Sequence, residues 1–144
     1  MPKQLYPEPT VGGLIFNPEG RFLLLKSHKW LGKYVIPGGH IELGETMEQA
    51  LKREIKEETN LDIYDIEFII FQEFIFDKTF WQKGHYIFFD FACKTDLTDV
   101  KLNDEAEKYV WVTIAEGLAL PLDPYTKIVI EAYLKKQKRE NKDV

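Results

Sequence analysis

The sequence predicts an α/β fold, in which helices pack on a mixed β-sheet. The chain has 144 residues, its β-rich runs are interrupted and followed by long helical patterns, and it contains no internal repeat or low-complexity linker. A chain of this length is the usual size of one domain, and it can bury a core without a disulfide or a structural metal. We therefore expect residues 1–144 to form a single domain with a sandwich architecture.

The first half of the chain reads as strands followed by a helix. Prolines at positions 2, 7 and 9 indicate an extended lead-in, and apolar runs predict strands at residues 10–16, 22–26 and 34–36. The sequence Asn17-Pro18-Glu19-Gly20 is typical of a turn between the first two strands. The third strand stops at Pro37, and a helical pattern covers residues 46–59.

The second half predicts strands at residues 66–76, 86–94 and 109–112, with the first two forming a hairpin. A last helix begins after Asp123, which can cap it, and Pro124 suits its first turn. The hairpin is richer in aromatic residues than one sheet face of a chain this size readily hides. Exposed apolar strand edges are usually covered, so we expect a homodimer.

Composition excludes several classes of function. Hydrophobic residues make up 44% of the chain and the net charge is −5, which argues against a disordered chain, a general nucleic-acid binder and a cationic membrane-surface protein. The one cysteine, Cys93, cannot form an internal disulfide and favours a reducing compartment. With no apolar run long enough to span a membrane, we expect a cytoplasmic protein with neither a nucleic-acid polymer nor a membrane as partner.

The helix at residues 46–59 carries the chemistry. Glu54, Glu57 and Glu58 share one face, and that face overlaps the apolar side formed by Ala50 and Leu51. At least two carboxylates should therefore project toward the edge of the core, where they repel one another. A divalent cation such as Mg²⁺ or Mn²⁺ would relieve this repulsion. A solvated face with Lys–Glu ion pairs is the alternative.

The spacing from residue 39 to residue 61 resembles the Nudix box of the Nudix (MutT-like) hydrolases. Eight of its nine specified positions match, and the departure is Asn60, where the motif has glycine at the end of the helix. Asparagine is the next most tolerant residue in the left-handed conformation common there, so no catalytic group is affected. The matching residues are Gly39, Glu45, Arg53, Glu54, Ile55, Glu57, Glu58 and Leu61.

The resemblance implies a Nudix-type α/β/α sandwich and hydrolysis of a pyrophosphate bond in a nucleoside diphosphate derivative, with Mg²⁺ or Mn²⁺ as cofactor. It implies that Glu54, Glu57, Glu58 and the Gly39 carbonyl bind the metal, and that Glu45 and Arg53 form a structural salt bridge. The family often supplies a further carboxylate before a late strand. Here that residue is Glu105, as general base or extra ligand, with Glu107, Glu73 and Asp90 as alternatives.

Substrate contacts are expected from residues near the end of the second strand. Lys26 could reach a phosphate, and Trp30 could stack on a base, as could Phe80 or Trp81. The alternative for each of these residues is a purely structural role, as a surface lysine or as an aromatic residue of the core. We assign no catalytic role to the histidines at positions 28, 40 and 85.

The substrate class follows from sequence markers that the chain lacks. No proline occurs between Leu61 and Leu120, whereas Nudix ADP-ribose pyrophosphatases often carry one beyond the box; markers of diadenosine polyphosphate and coenzyme A hydrolases are also missing. The chain therefore resembles a nucleoside triphosphate pyrophosphohydrolase. The alternatives are an NDP-sugar pyrophosphatase of the ADP-ribose type, or a non-catalytic nucleotide-binding sensor with a Nudix fold.

Overall fold

A computed structural model describes residues 4–142 as a mixed seven-stranded sheet with helices on both faces. The strands are β1 (Glu8–Phe16), β2 (Phe22–Ser27), β3 (Lys33–Val35), β4 (Gly38–His40), β5 (Tyr64–Ile75), β6 (His85–Lys94) and β7 (Lys108–Val112). The helices are α1 (Met47–Thr59), α2 (Ile114–Leu118) and α3 (Pro124–Lys142). None of these helices is long and apolar enough to cross a membrane.

The sheet runs in the order β3-β2-β1-β6-β5, with β4 paired to β1 and β7 paired to β2. Strands β1 and β6 are parallel and every other strand pair is antiparallel, so the sheet is mixed, as predicted. The predicted hairpin is confirmed as the antiparallel pair β5–β6. Strand β1 pairs with β4 at its beginning and with β2 only at its end. Pairing with β1 therefore positions β4, which lies in the chain segment that precedes α1.

Alternate residues of the strands face two separate cores, which makes the fold an α/β/α sandwich. In β2, Leu23 and Leu25 pack in a cluster with Leu51 of α1. Leu24, between them, packs in a second cluster with Val129 of α3. Strands with both faces covered by helices read as continuous apolar runs, which explains the sequence FLLLK in β2.

Among the strands and α-helices, two elements were not predicted from the sequence. Strand β4 consists of Gly38, Gly39 and His40, which have no strand propensity, and it forms because its backbone pairs with β1. A Cβ on Gly38 would collide with the Val11 carbonyl, so only glycine permits this close pairing. The five-residue helix α2 is too short for a periodic signal, although Thr113 and Glu116 form a capping box at its start.

Helix α1 has defined ends. Thr46 caps its first turn by accepting a hydrogen bond from the Gln49 backbone N–H, at 3.1 Å. At the other end Asn60 has φ 65°, a left-handed conformation, and its N–H donates to the Lys56 carbonyl at 2.9 Å. The position that departs from the motif thus has the backbone conformation that explains the motif's glycine.

Replacing Asn60 with alanine should lower the free energy of unfolding by about 1 kcal/mol, because a Cβ without a compensating polar group is strained in the left-handed region. Asn60→Gly removes that strain and should stay within about 0.5 kcal/mol of the parent. Urea denaturation followed by circular dichroism measures both values. Equal loss of stability in the two variants would show that the asparagine side chain matters here, and not the backbone conformation.

Candidate active site

Three carboxylates meet at the end of helix α1. Glu54 and Glu58 lie one turn apart on the helix, and Glu105 reaches them from the segment between β6 and β7. One carboxylate oxygen of each lies within 4.8 Å of the others. The structure therefore brings together two of the box carboxylates and the loop carboxylate chosen from the sequence. Glu107, the second choice in that loop, is exposed.

Burial concentrates the negative charge of this cluster. Glu58 is only 5% exposed, and its Oε1 accepts a hydrogen bond from the Gly38 backbone N–H at 3.3 Å. Burial, followed by the nearby charges of Glu105 and Glu54, raises the pKa of Glu58 well above its usual value. Burial also raises the pKa of Glu54. The expectation that two carboxylates project toward the core edge is confirmed for these residues.

The donor set of the cluster suits a hard divalent cation. It consists of carboxylate oxygens that repel one another in a partly desolvated position, and Mg²⁺ prefers such oxygen ligands. Gly39 of β4 lies directly against the cluster, since a Cβ at this position would overlap the Glu54 carboxylate. The glycine thus allows the backbone of β4 to approach the carboxylates closely, as a carbonyl ligand would require.

Arg53 connects the parts of the motif. Its Nε and Nη2 donate to the two carboxylate oxygens of Glu45 at 2.7 and 2.8 Å, and Nη2 also donates to the His40 carbonyl at 2.9 Å. Its Nη1 donates to Glu54 at 2.9 Å. The hydrogen bond from Arg53 lowers the pKa of Glu45 to about 2. Bidentate geometry of this kind fixes the orientation of both side chains. Arg53 therefore fixes the positions of β4, of α1 and of the loop between them relative to one another.

Of the three helix carboxylates expected to bind the metal, Glu57 is the one that lies outside the described cluster. Its side chain is 55% exposed, and both its oxygens lie 3.4 Å from Arg53 Nη1. Three residues with i, i+3 and i+4 spacing share a broad face, but that face curves around the helix axis. Glu54 and Glu58 are therefore on the buried side, and Glu57 is at the solvent edge.

A cavity of about 260 Å³ opens beside the carboxylate cluster. Glu58, Glu105 and Gly39 contribute to its lining, so the cluster and the cavity form one site. Lys26 does not line it, whereas Lys29 does. Lys29 Nζ lies 3.2 Å from Glu105, and the 3-10 turn His28–Trp30 that follows β2 explains why this lysine points inward. The sequence predicts a strand that ends at Lys26 and contains no indication of the turn that follows it.

Aromatic rings form much of the cavity wall. Trp30, proposed from the sequence as a stacking residue, lines the cavity with its ring centroid 4.5 Å from that of Phe80. Trp81, Tyr86 and Phe88 also contribute. Strand alternation could have indicated Tyr86 and Phe88, because they lie on the same face of β6 as Asp90.

Asp90 and Glu73, the charged residues within the apolar strands, occupy different environments. Asp90 is buried and lines the cavity, whereas Glu73 is exposed on β5. Neither belongs to the described carboxylate cluster. Among the histidines, His40 lines the cavity but is bound to Glu8 at 2.9 Å on the exposed side of β4.

Comparison with known proteins identifies the family. The NUDIX domain family matches residues 6–133. The "Nucleoside triphosphatase NudI" of Enterobacter sp. (strain 638) is 32% identical over 124 residues, covering 79% of this chain and 88% of the relative. The protein of the same name from Salmonella agona (strain SL483) is 36% identical over 116 residues, covering 74% and 82%.

Solved structures agree with this assignment. The MutT protein from Methanosarcina mazei Go1 superposes with a TM-score of 0.75 at 28% identity, covering 94% of this chain and 99% of its own. The NUDIX domain of Shewanella oneidensis NrtR, solved with ADP ribose, has a TM-score of 0.77 at 20% identity, covering 93% and 90%, and it supports the fold alone. The chain therefore belongs to the NUDIX domain family and is a Nudix hydrolase.

Proposed function

We propose that this chain is a Mg²⁺-dependent nucleoside triphosphate pyrophosphohydrolase, which converts a nucleoside triphosphate and water into a nucleoside monophosphate and pyrophosphate. The observation that carries the proposal is the meeting of Glu54, Glu58 and Glu105 beside an aromatic-lined cavity. The name of the NudI relatives supports the choice of triphosphates. Mn²⁺ is expected to replace Mg²⁺ because it prefers the same ligands.

The proposed roles follow from position. Glu54, Glu58 and the Gly39 carbonyl would hold the metal from α1 and β4, and Glu57, now 3.4 Å from Arg53, would be a further ligand. When bound, the metal lowers the pKa of a coordinated water and offsets charge on the phosphates. Glu105 takes the proton of the attacking water or acts as a further ligand. Oxygen from water bonds to phosphorus, the anhydride P–O bond breaks, and pyrophosphate leaves.

The remaining residues position the substrate. The Glu45–Arg53 pair orients α1, because Arg53 bonds Glu45 in the preceding loop, the His40 carbonyl of β4 and Glu54 on the helix. Trp30 stacks on the base, and Lys29 contacts the phosphates, a role that the sequence had suggested for Lys26. Lys29 is the better placed of the two lysines because it lines the cavity and lies beside Glu105.

An NDP-sugar pyrophosphatase of the ADP-ribose type is the second candidate. The aromatic-lined cavity beside the carboxylate cluster would also accept the base of such a substrate. A non-catalytic nucleotide sensor is the third, and the retention of every box carboxylate argues against it. Release of phosphate from triphosphates, NDP-sugars and dinucleotides, measured after coupling to a phosphatase, separates the three.

The first test concerns the metal. Activity should disappear in EDTA and return with Mg²⁺ or Mn²⁺, because the clustered carboxylates are proposed to act through a bound cation. Activity should also rise between about pH 6 and 8.5, since protons compete with the cation for the carboxylates and a deprotonated water is the better nucleophile. Full turnover by a metal-free preparation would refute this mechanism.

The second test is Glu58→Gln, which keeps the acceptor for the Gly38 N–H but removes the buried charge. We expect kcat to fall by about 10³ or more, equivalent to about 4 kcal/mol of transition-state stabilisation. Without metal the variant should be at least as stable as the parent, because the repulsion with Glu54 and Glu105 is reduced. Steady-state kinetics and thermal unfolding, each with and without Mg²⁺, measure both effects.

The matched control is Glu107→Gln, which removes an exposed carboxylate from the same acidic loop as Glu105. Its kcat should stay within about threefold of the parent. A Glu58→Gln enzyme that also stays within tenfold would remove Glu58 from the proposed set of essential ligands.

We also propose that the protein is cytoplasmic and forms a homodimer. The buried, free thiol of Cys93, whose pKa burial raises to about 12, fits a reducing compartment. Strand β5 lies at the end of the sheet order and exposes Phe68, Phe71 and Ile75. These side chains form the apolar surface that a second copy would cover.

Light scattering at micromolar concentration should give about twice the chain mass of 16.9 kDa. Phe71→Lys should shift the protein toward the monomer, because a charge would then be buried in the interface. As a control, Lys127→Glu changes an exposed residue of α3 and should leave the mass unchanged. A monomeric parent would refute the proposed dimer.

A further inference from the structure

A second buried carboxyl lies in the cavity, apart from the carboxylate cluster. Asp90 on β6 is 4% exposed and lines the cavity. Gln72 on the neighbouring strand β5 is also buried and lines the same cavity. Gln72 Nε2 donates to Asp90 Oδ2 at 3.2 Å and to the Tyr125 carbonyl at 3.0 Å. The amide of Gln72 thus fixes Asp90 between the sheet and the start of α3.

Neither the proposed metal site nor the packing of the core explains this carboxyl. Asp90 interrupts an aromatic strand, between Phe89 and Phe91, where an apolar residue would cost less to bury. The chain leaves space for it, since a Cβ on Gly12 would lie 3.1 Å from Asp90 Oδ1. Burial raises the pKa of Asp90 to about 7. An unfavourable group that is oriented by a neighbour and lines a cavity is a candidate for ligand recognition.

At a pH above the pKa of Asp90, the hydrogen-bonding capacity left around its carboxylate is that of acceptors. Gln72 donates its two amide hydrogens to Asp90 and to the Tyr125 carbonyl, so no donor of this side chain remains for a ligand. Asp90 Oδ1 takes part in no hydrogen bond within residues 4–142. Asp123, which also lines the cavity, uses Oδ2 to accept from the backbone of α3. A ligand that complements these groups brings hydrogen-bond donors, and the N–H groups of an amino substituent are such donors.

Resting on the proposed function, we propose that Asp90, oriented by Gln72, is a specificity-determining residue that accepts a hydrogen bond from an amino group on the base of the substrate. The aromatic wall that includes Trp30 would stack on the flat base while Asp90 reads its edge. Adenine, guanine and cytosine carry such an amino group. Where cytosine and adenine carry the amino group, uracil and hypoxanthine have a carbonyl oxygen, which would face the carboxylate oxygen and be repelled.

Nucleosides test this base recognition without metal or turnover. Cytidine and uridine differ mainly in an amino group against a carbonyl, as do adenosine and inosine. Titrations followed by NMR should show that the amino member of at least one pair binds at least about tenfold more tightly. Equal affinity within both pairs, or no binding by any of the four nucleosides, would overturn the proposal.

The variant Asp90→Asn should reduce the preference to less than about threefold or reverse it, because an amide can donate to a carbonyl oxygen. Glu73→Gln is the control, since it removes an exposed carboxylate from the strand that carries Gln72, and it should keep the parental preference. If Asp90→Asn does not fold, Gln72→Leu serves instead, because it frees the carboxyl from its orienting amide and should weaken the preference. A preference that persists in the folded variants would overturn the assignment.

Turnover separates this inference from the proposed function. With Mg²⁺ present, kcat/KM should favour CTP over UTP or ATP over ITP, and Asp90→Asn should level the ratio. Selective nucleoside binding without triphosphate hydrolysis would refute the proposed reaction and support the role of Asp90. Hydrolysis with equal kcat/KM within both pairs would support the reaction and overturn the role of Asp90.

Discussion

The site depends on the paired hydrogen bonds between Arg53 and Glu45. Arg53 gives two parallel bonds to Glu45 in the loop before α1, and its remaining donors reach the His40 carbonyl of β4 and the Glu54 carboxylate. A guanidinium group can hold several oxygens in one plane, which a lysine ammonium cannot do. One side chain therefore fixes how the helix that carries the carboxylates meets the strand that approaches them.

The same arrangement offsets part of the energetic cost of burying Glu54 and Glu58. Glu54 is neutralised in part by Arg53, whereas Glu58 receives a backbone N–H from Gly38 and little other compensation. The cluster thus has negative charge that Arg53 and Lys29 offset only in part, beside an aromatic-lined cavity. Such a cluster lowers the stability of the protein without a cation and favours the binding of one. A local loss of stability of this kind is typical of functional sites.

The sequence predicted the fold well where its signals are local and periodic. The turn at Asn17–Gly20, the start of α3 after Asp123 and the clustered helix carboxylates all follow from residue spacing. Strand β4 could not be predicted, because its glycines form a strand only through close contact with β1. The different environments of Glu57 and Glu58 also depend on which side of α1 the sheet covers. Lys29 replaces Lys26 at the cavity because of a turn that follows the strand.

Glu105 joins the cluster from a segment far along the chain from α1, and this has a thermodynamic consequence. The three carboxylates approach one another only when β7 is docked beside β2 and α1 is packed on the sheet. An unfolded chain therefore offers no equivalent set of ligands. A cation that engages all three binds the native state alone, so its binding and folding are linked equilibria. Under the proposed metal binding, the thermal stability of the protein would report the occupancy of this cluster.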